Sequence, residues 1–122
     1  MKFLLIDHVQ LSMPAGKEQQ ARAFYVEVLG FIEVPKPAEL AKRGGVWFEQ
    51  GVVKLHLGVE ENFHALKKAH PALIVDDLAA FVARLQSANH QVDTSQPPLE
   101  GFKRVHVLDP FGNRLEIMER MG

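Results

Sequence analysis

The stretch from Arg104 to Glu119, RVHVLDPFGNRLEIME, decides how the chain is read. Asp109-Pro110-Phe111-Gly112-Asn113 is rich in turn formers and lies between Val105-His106-Val107-Leu108 and Arg114-Leu115-Glu116-Ile117-Met118. Proline fixes φ early in such a loop and Gly or Asn takes φ > 0, so the stretch predicts a β-hairpin. In its second strand Leu115 and Ile117 alternate with Arg114, Glu116 and Met118, which turns Glu116 away from the apolar pair. Earlier in the chain Val53, Leu55 and Leu57 alternate with Lys54, His56 and Gly58 in the same way. His56 takes the place that Glu116 takes later, and the echo predicts a duplicated unit.

The remaining sequence fits that duplication. Leu4 to Leu11 alternates as a strand, with Leu5, Val9 and Leu11 on one face and Ile6, His8 and Gln10 on the other. Lys17 to Leu29 has helical periodicity, its apolar stripe being Ala21, Phe24, Val28 and Leu29, and Gly30 stands at the left-handed C-terminal cap. A short strand (Phe31 to Val34), a turn or two of helix (Ala38 to Arg43) and a hairpin around Gln50-Gly51 complete a β-α-β-β-β order. After a charged linker the order restarts. His70 to Val75 reads as a strand, Asp76 or Asp77 caps a helix from Leu78 to Ala88, and Asn89 stands where Gly30 stood. The helix stripe is Leu78, Phe81, Val82 and Leu85. Gln91 to Thr94 is a short strand, and the opening hairpin closes the second β-α-β-β-β. The expected organisation is one domain over 1–122, with module 1–58, linker 59–69 and module 70–122.

Composition narrows the function classes. A chain of 122 residues, 47% hydrophobic, 24% charged and formally −1 at pH 7, suits one ordinary globular domain. No basic cluster suggests nucleic acid, and no apolar run approaches the roughly 18–20 residues of a membrane span. Without cysteine there is no disulfide framework and no thiolate metal site, and a cytoplasmic location is expected.

Aligning the halves puts ionisable groups at matching places: His8 with His70 in the first strand, and His56 with Glu116 in the last. A lone His on the polar face of a strand is ordinarily a surface residue. Four such groups repeated by duplication are different, because imidazole with carboxylate is a normal ligand set for a divalent first-row metal. His64 and His90, in the linker and after a helix, are expected to be solvated. His106 depends on hairpin register.

The runs FYVEVLGF (Phe24 to Phe31) and DPFGNRLE (Asp109 to Glu116) carry a resemblance, which extends over nearly the whole chain. The sequence resembles the vicinal oxygen chelate superfamily, which includes glyoxalase I, methylmalonyl-CoA epimerase, extradiol dioxygenases, and fosfomycin- and bleomycin-resistance proteins. The resemblance implies an α+β fold of two βαβββ modules in pseudo-twofold arrangement, forming a cup-shaped curled sheet around a metal, in a homodimer. It puts the metal ligands at His8, His70 and Glu116. The fourth ligand position falls on His56, where glyoxalase I has Glu and the epimerase Gln, so the carboxylate base of that side is missing.

The expected function is a metal-dependent glyoxalase-like enzyme, of lyase or isomerase type. The ion (Zn, Ni, Mn or Fe) would chelate vicinal oxygens of a small substrate and stabilise an anionic intermediate. Glu116 would be both ligand and catalytic proton relay, and Lys54, Arg104 and His106 would bind the substrate. The alternatives are an extradiol-type dioxygenase and an antibiotic-resistance protein, either fosfomycin-transferase-like or drug-sequestering. A drug-sequestering relative usually lacks the ligands, and all four positions are filled here.

Overall fold

The computed structural model describes all 122 residues. The fold is mixed α and β, and the chain divides into two compact units, residues 1–63 and 64–122. No helix is long and apolar enough to cross a membrane.

The first unit runs β1 (Val9–Met13), α1 (Glu18–Tyr25), β2 (Ile32–Val34), α2 (Ala38–Ala41), β3 (Val46–Gln50) and β4 (Val53–Val59). Its sheet has the order β1-β4-β3-β2, with β1 parallel to β4 and the other pairs antiparallel. Alternation decides what each strand buries. Val46 faces Leu57 and Phe48 faces Leu55 across β3 and β4, and all four are buried with Phe24 and Tyr25 of α1. Tyr25 stacks on Phe48 at 5.2 Å, and each such aromatic contributes roughly 1.5–3 kcal/mol by leaving water. Trp47 and His56, one residue out of phase, face each other on the opposite side.

Two boundaries differ from the sequence reading. Regular α1 stops at Tyr25, because the amides of Glu27 and Leu29 bond five residues back, to Arg22 and Phe24. Leu29 is nevertheless buried, and Gly30 closes the turn at φ 83°. The first strand begins at Val9, well after Leu4. Val9 pairs with Leu55, and β4 itself starts at Val53, so residues further upstream run past the end of their partner. Leu5, expected on one strand face with Val9 and Leu11, is 80% exposed.

The second unit runs β5 (Ala72–Ile74), α3 (Leu78–Ser87), β6 (Phe102–Leu108) and β7 (Arg114–Arg120), in the sheet order β5-β7-β6. Val105 faces Ile117 and Val107 faces Leu115, forming a buried layer with Leu78 and Leu85 of α3. Asp77 caps α3 by accepting the amide of Ala80, and Glu119 of β7 accepts that of Leu78. Asn89 ends the helix at φ 65°, as the sequence predicts. The expected strand at Gln91 to Thr94 is reduced to one bridge, Asp93 with His106. Asp93 accepts hydrogen bonds from Ser95 and Gln96, which curls the chain, and Pro97-Pro98 then has no amide to extend a ladder.

Candidate functional site

The hairpin loop sets the second unit's site. Asp109 accepts bonds from the amides of Phe111 and Asn113 and from the Asn113 side chain, while Gly112 takes φ 89°. This buried carboxylate fixes the register in which His106 stands directly opposite Glu116. On the other side β5 pairs Ala72 with Glu116 in parallel, so His70, two residues earlier, reaches the same carboxylate.

His70 Nε2 lies 2.9 Å from Glu116 Oε1, and His106 Nε2 lies 3.4 Å from that oxygen. Arg104 donates to Oε2 at 3.2 Å. Burial works to raise the Glu116 pKa, but hydrogen bonds from His70 and Arg104 outweigh it and hold the group below the usual Glu value. The His106 pKa is lowered, first by burial and then by the charge of Arg114, against the pull of Glu116. His70, His106 and Glu116 each offer a donor atom within 4.8 Å of the others, a set with the composition of a metal site.

The hydrogen bonding of His70 supports a cation there. Its Nδ1 is 2.7 Å from the carbonyl of Lys68, an acceptor only, so Nδ1 carries a proton. Its Nε2 stands 2.9 Å from a carboxylate oxygen, a contact that needs either a second proton on the ring or a metal ion between the two atoms. A backbone carbonyl on the far nitrogen is the usual way a ligating imidazole is oriented.

In the first unit His8 is anchored in the same sense, its Nδ1 lying 3.0 Å from the Asp7 carboxylate. That bond, and then Lys54 at 3.5 Å, lower the Asp7 pKa. Rings dominate the rest. His56 lies between Trp47, at 4.1 Å and 7° between planes, and His8, at 4.2 Å and 19°. Burial, then His8, lower the His56 pKa, against Asp7 and Glu49. These rings, with Gln10, Glu49 and Lys54, line a cavity of about 390 Å³.

The structure thus brings together His8 with His56 in the first unit, and His70 with Glu116 in the second. Arg104 and His106, expected to bind substrate, both reach Glu116. Lys54 reaches Asp7. The sequence reading missed Arg114, whose Nε and Nη2 point at His106 Nδ1 from 2.9 and 2.5 Å. It also missed Trp47. The duplication held a signal for Arg114, which precedes Glu116 by two residues as Lys54 precedes His56.

Comparison with known proteins supplies a family. The family model of the Glyoxalase/Bleomycin resistance protein/Dioxygenase superfamily matches residues 5–117. A protein assigned to the glyoxalase family from Bacillus anthracis is 46% identical, with a TM-score of 0.91 over 99% of this chain and 98% of that one. TnmS3, an antibiotic binding protein from Streptomyces sp. CB03234, is 25% identical, with a TM-score of 0.70 over 98% of this chain and 100% of that one. The fosfomycin resistance protein FosX from Listeria monocytogenes shares the fold at 10% identity, with a TM-score of 0.76 over 98% and 96%. No curated protein matches the chain.

Proposed function

We propose that this chain, which belongs to the glyoxalase/bleomycin resistance protein/dioxygenase superfamily, is a metal-dependent enzyme of glyoxalase-like type. It acts on a small substrate with two adjacent oxygens and stabilises an anion formed on it. In the second unit His70 and Glu116 would hold the divalent ion, and in the first His8 and His56 are the candidate ligands. One observation carries the reading: His70, anchored through Nδ1, holds its Nε2 2.9 Å from Glu116 Oε1, where a proton or a metal ion must lie between the two atoms. When bound, a divalent ion supplies Lewis-acid polarisation of a substrate oxygen. The protein side chains do the rest. Glu116, kept ionised by His70 and Arg104, relays a proton. Arg104 and Lys54 supply the positive charge that orients an anionic substrate.

The organisation that goes with this reading is one domain over 1–122, built from module 1–58, linker 59–69 and module 70–122, acting in the cytoplasm as a homodimer. Support for the homodimer comes from Leu4, Leu5 and Ile6, large apolar side chains that stand exposed on the single chain. Sedimentation as a monomer at micromolar concentration contradicts it.

The test of the enzyme reading is metal uptake. Purified protein dialysed against Ni, Zn, Mn or Fe(II) and analysed by mass spectrometry should retain about one ion per site, in the range of tight protein sites. Protein that retains none has lost the basis of this reading. A second reading then stands on the Trp47–His56–His8 stack, a flat aromatic surface suited to a planar drug, and on the likeness to an antibiotic binding protein. Trp47 is the single tryptophan, so quenching of its fluorescence by planar antibiotics reports that alternative.

A further inference from the structure

We propose that Arg114 locks His106 in the tautomer with its proton on Nε2. His106 is then a hydrogen-bond donor beside Glu116, anchoring an oxygen of the substrate, and not a ligand of the ion. The ligand half of this proposal rests on the metal reading above; the tautomer half does not.

The argument begins with what a guanidinium can do. It has five N–H donors and no acceptor, and it stays charged. Arg114 brings Nε to 2.9 Å and Nη2 to 2.5 Å from His106 Nδ1, while its Nη1 donates to the carbonyl of Lys67 at 3.1 Å. Nδ1 must therefore present a lone pair. A neutral imidazole with its lone pair on Nδ1 carries its hydrogen on Nε2, and an imidazolium would set N–H against N–H. The backbone that carries the ring is held in place. His106 is opposite Glu116 in the β6–β7 ladder, and its amide and carbonyl both bond to Asp93, at 3.0 and 2.8 Å.

The consequence follows from the same lone-pair count. An Nε2 that carries hydrogen has nothing to offer a metal. The two histidines beside Glu116 are thus anchored oppositely: His70 gives its Nδ1 hydrogen to the Lys68 carbonyl, which leaves Nε2 as the atom for an ion, while His106 accepts at Nδ1 from Arg114 and carries its hydrogen on Nε2. His106 Nε2 is also buried without a hydrogen-bond acceptor, since Glu116 Oε1 at 3.4 Å is beyond good reach. A buried donor without an acceptor, aimed beside the carboxylate, fits a carbonyl, enolate or alkoxide oxygen of the substrate. The donor set at Glu116 is therefore one ligand imidazole, one carboxylate and one anchoring N–H, although composition alone suggests two ligand imidazoles.

Long-range ¹H–¹⁵N NMR of the side chains reads tautomers directly, in metal-free and in Zn(II)-loaded protein. His106 should show a pyrrole-type Nε2 and a pyridine-type Nδ1 in both samples, while the His70 Nε2 resonance moves when Zn(II) is added. In Arg114→Leu the His106 signals should shift toward a mixture of tautomers; an unchanged Nε2–H overturns the lock. Calorimetric titration with Zn(II) should find His106→Gln within about tenfold of the parent, the low end of an outer-shell change, and His70→Ala, a lost ligand, weaker by more than about 100-fold. A pyrrole-type Nδ1, or a Zn(II)-dependent shift of His106 Nε2, or a Zn(II) affinity lost equally in both variants, overturns the proposal. Protein that takes up no Zn(II) overturns the metal reading and the ligand half of this one, and the metal-free spectrum still decides the tautomer.

Discussion

The two halves of the chain place their polar faces by the same register and fill them with different chemistry. In the first, Gln10 pairs with His56, His8 stands two residues upstream, and Trp47 faces His56 from the other neighbour strand. In the second, Ala72 pairs with Glu116, His70 stands two residues upstream, and His106 faces Glu116. Only the side chains differ. The first set is a stack of three flat rings about 4 Å apart. The second is a buried carboxylate ringed by His70, Arg104 and His106, with Arg114 behind. The backbone repeat therefore determines where a group stands, and the residue there determines whether it stacks or ionises. The stack rests on ring faces and needs no particular hydrogen, whereas the ionic set depends on each one.

The largest test of the comparison lies beneath both faces. Phe48→Ala should cost about 3–5 kcal/mol and Leu115→Ala about 2–5 kcal/mol, since each empties a fully buried place behind its own site. Denaturant unfolding followed by Trp47 fluorescence and by far-UV circular dichroism measures both. One domain gives a single coincident transition in either variant. Separate transitions would make the halves independent folds and break the comparison at its root.

At the sites themselves the asymmetry should appear in metal affinity. Glu116→Gln should weaken Zn(II) or Ni(II) binding by about 100-fold, near 2.7 kcal/mol, and abolish turnover. The matching change, His56→Gln, should cost about tenfold or less, because the stack holds His56 mainly by its faces. Equal losses would mean that the halves contribute alike. His64→Ala, an exposed position, should leave affinity unchanged.

The hairpins give the next step down. Gln50 pairs with Val53 across a two-residue turn, Gly51-Val52, in the first half. In the second, Asp109 staples a longer loop through three accepted bonds. Asp109→Ala should therefore cost about 1–3 kcal/mol and disturb the His106 resonances, whereas Val52→Ala should stay within about 0.5 kcal/mol. A silent Asp109→Ala would show that strand pairing alone sets the His106 register.

These same features mark how far the sequence could be read. Period-two alternation identified β4 and β7, whose apolar residues share one face, turn formers placed their hairpin partners β3 and β6, and Asp77, Gly30 and Asn89 marked helix ends through requirements that few residues meet. Alternation reports a face but not a partner. Leu4 to Ile6 therefore read as strand, although β4 begins too late to pair with them. At the candidate site His8, His56, His70 and Glu116 were legible because duplication doubled a weak signal. Arg114 was not, since a cation on a polar strand face looks solvated until the loop register shows what it touches. His106 was ambiguous for the same reason, and the signal that resolves it is Asp109, which read only as a turn former.

The smallest expected effect belongs to the place where the halves depart in backbone. β2 makes three pairs with β3, but its counterpart in the second half is the single bridge of Asp93 with His106. Asp93 ends that pairing by turning its carboxylate onto Ser95 Oγ at 2.6 Å, the Ser95 amide at 2.8 Å and Gln96 at 3.2 Å. Hydrogen bonds to the charged form lower its pKa to about 2, with the Ser95 hydroxyl the largest cause. The sign follows from linkage. A carboxylate with a depressed folded pKa contributes its stability fully above the unfolded value, near 3.8, and loses it as pH falls toward 2. The exposed position makes the contribution small, so titration is a better readout than unfolding. Ser95→Ala removes the leading bond and keeps the amide, so the ¹³C carboxyl titration of Asp93 should move up, part of the way to 3.8. If the curl is what stops the strand, the amides of Gln91 and Val92 should also gain exchange protection in that variant as pairing extends. A raised pKa with no new protection would leave the Pro97-Pro98 segment as the reason the second half has one strand fewer.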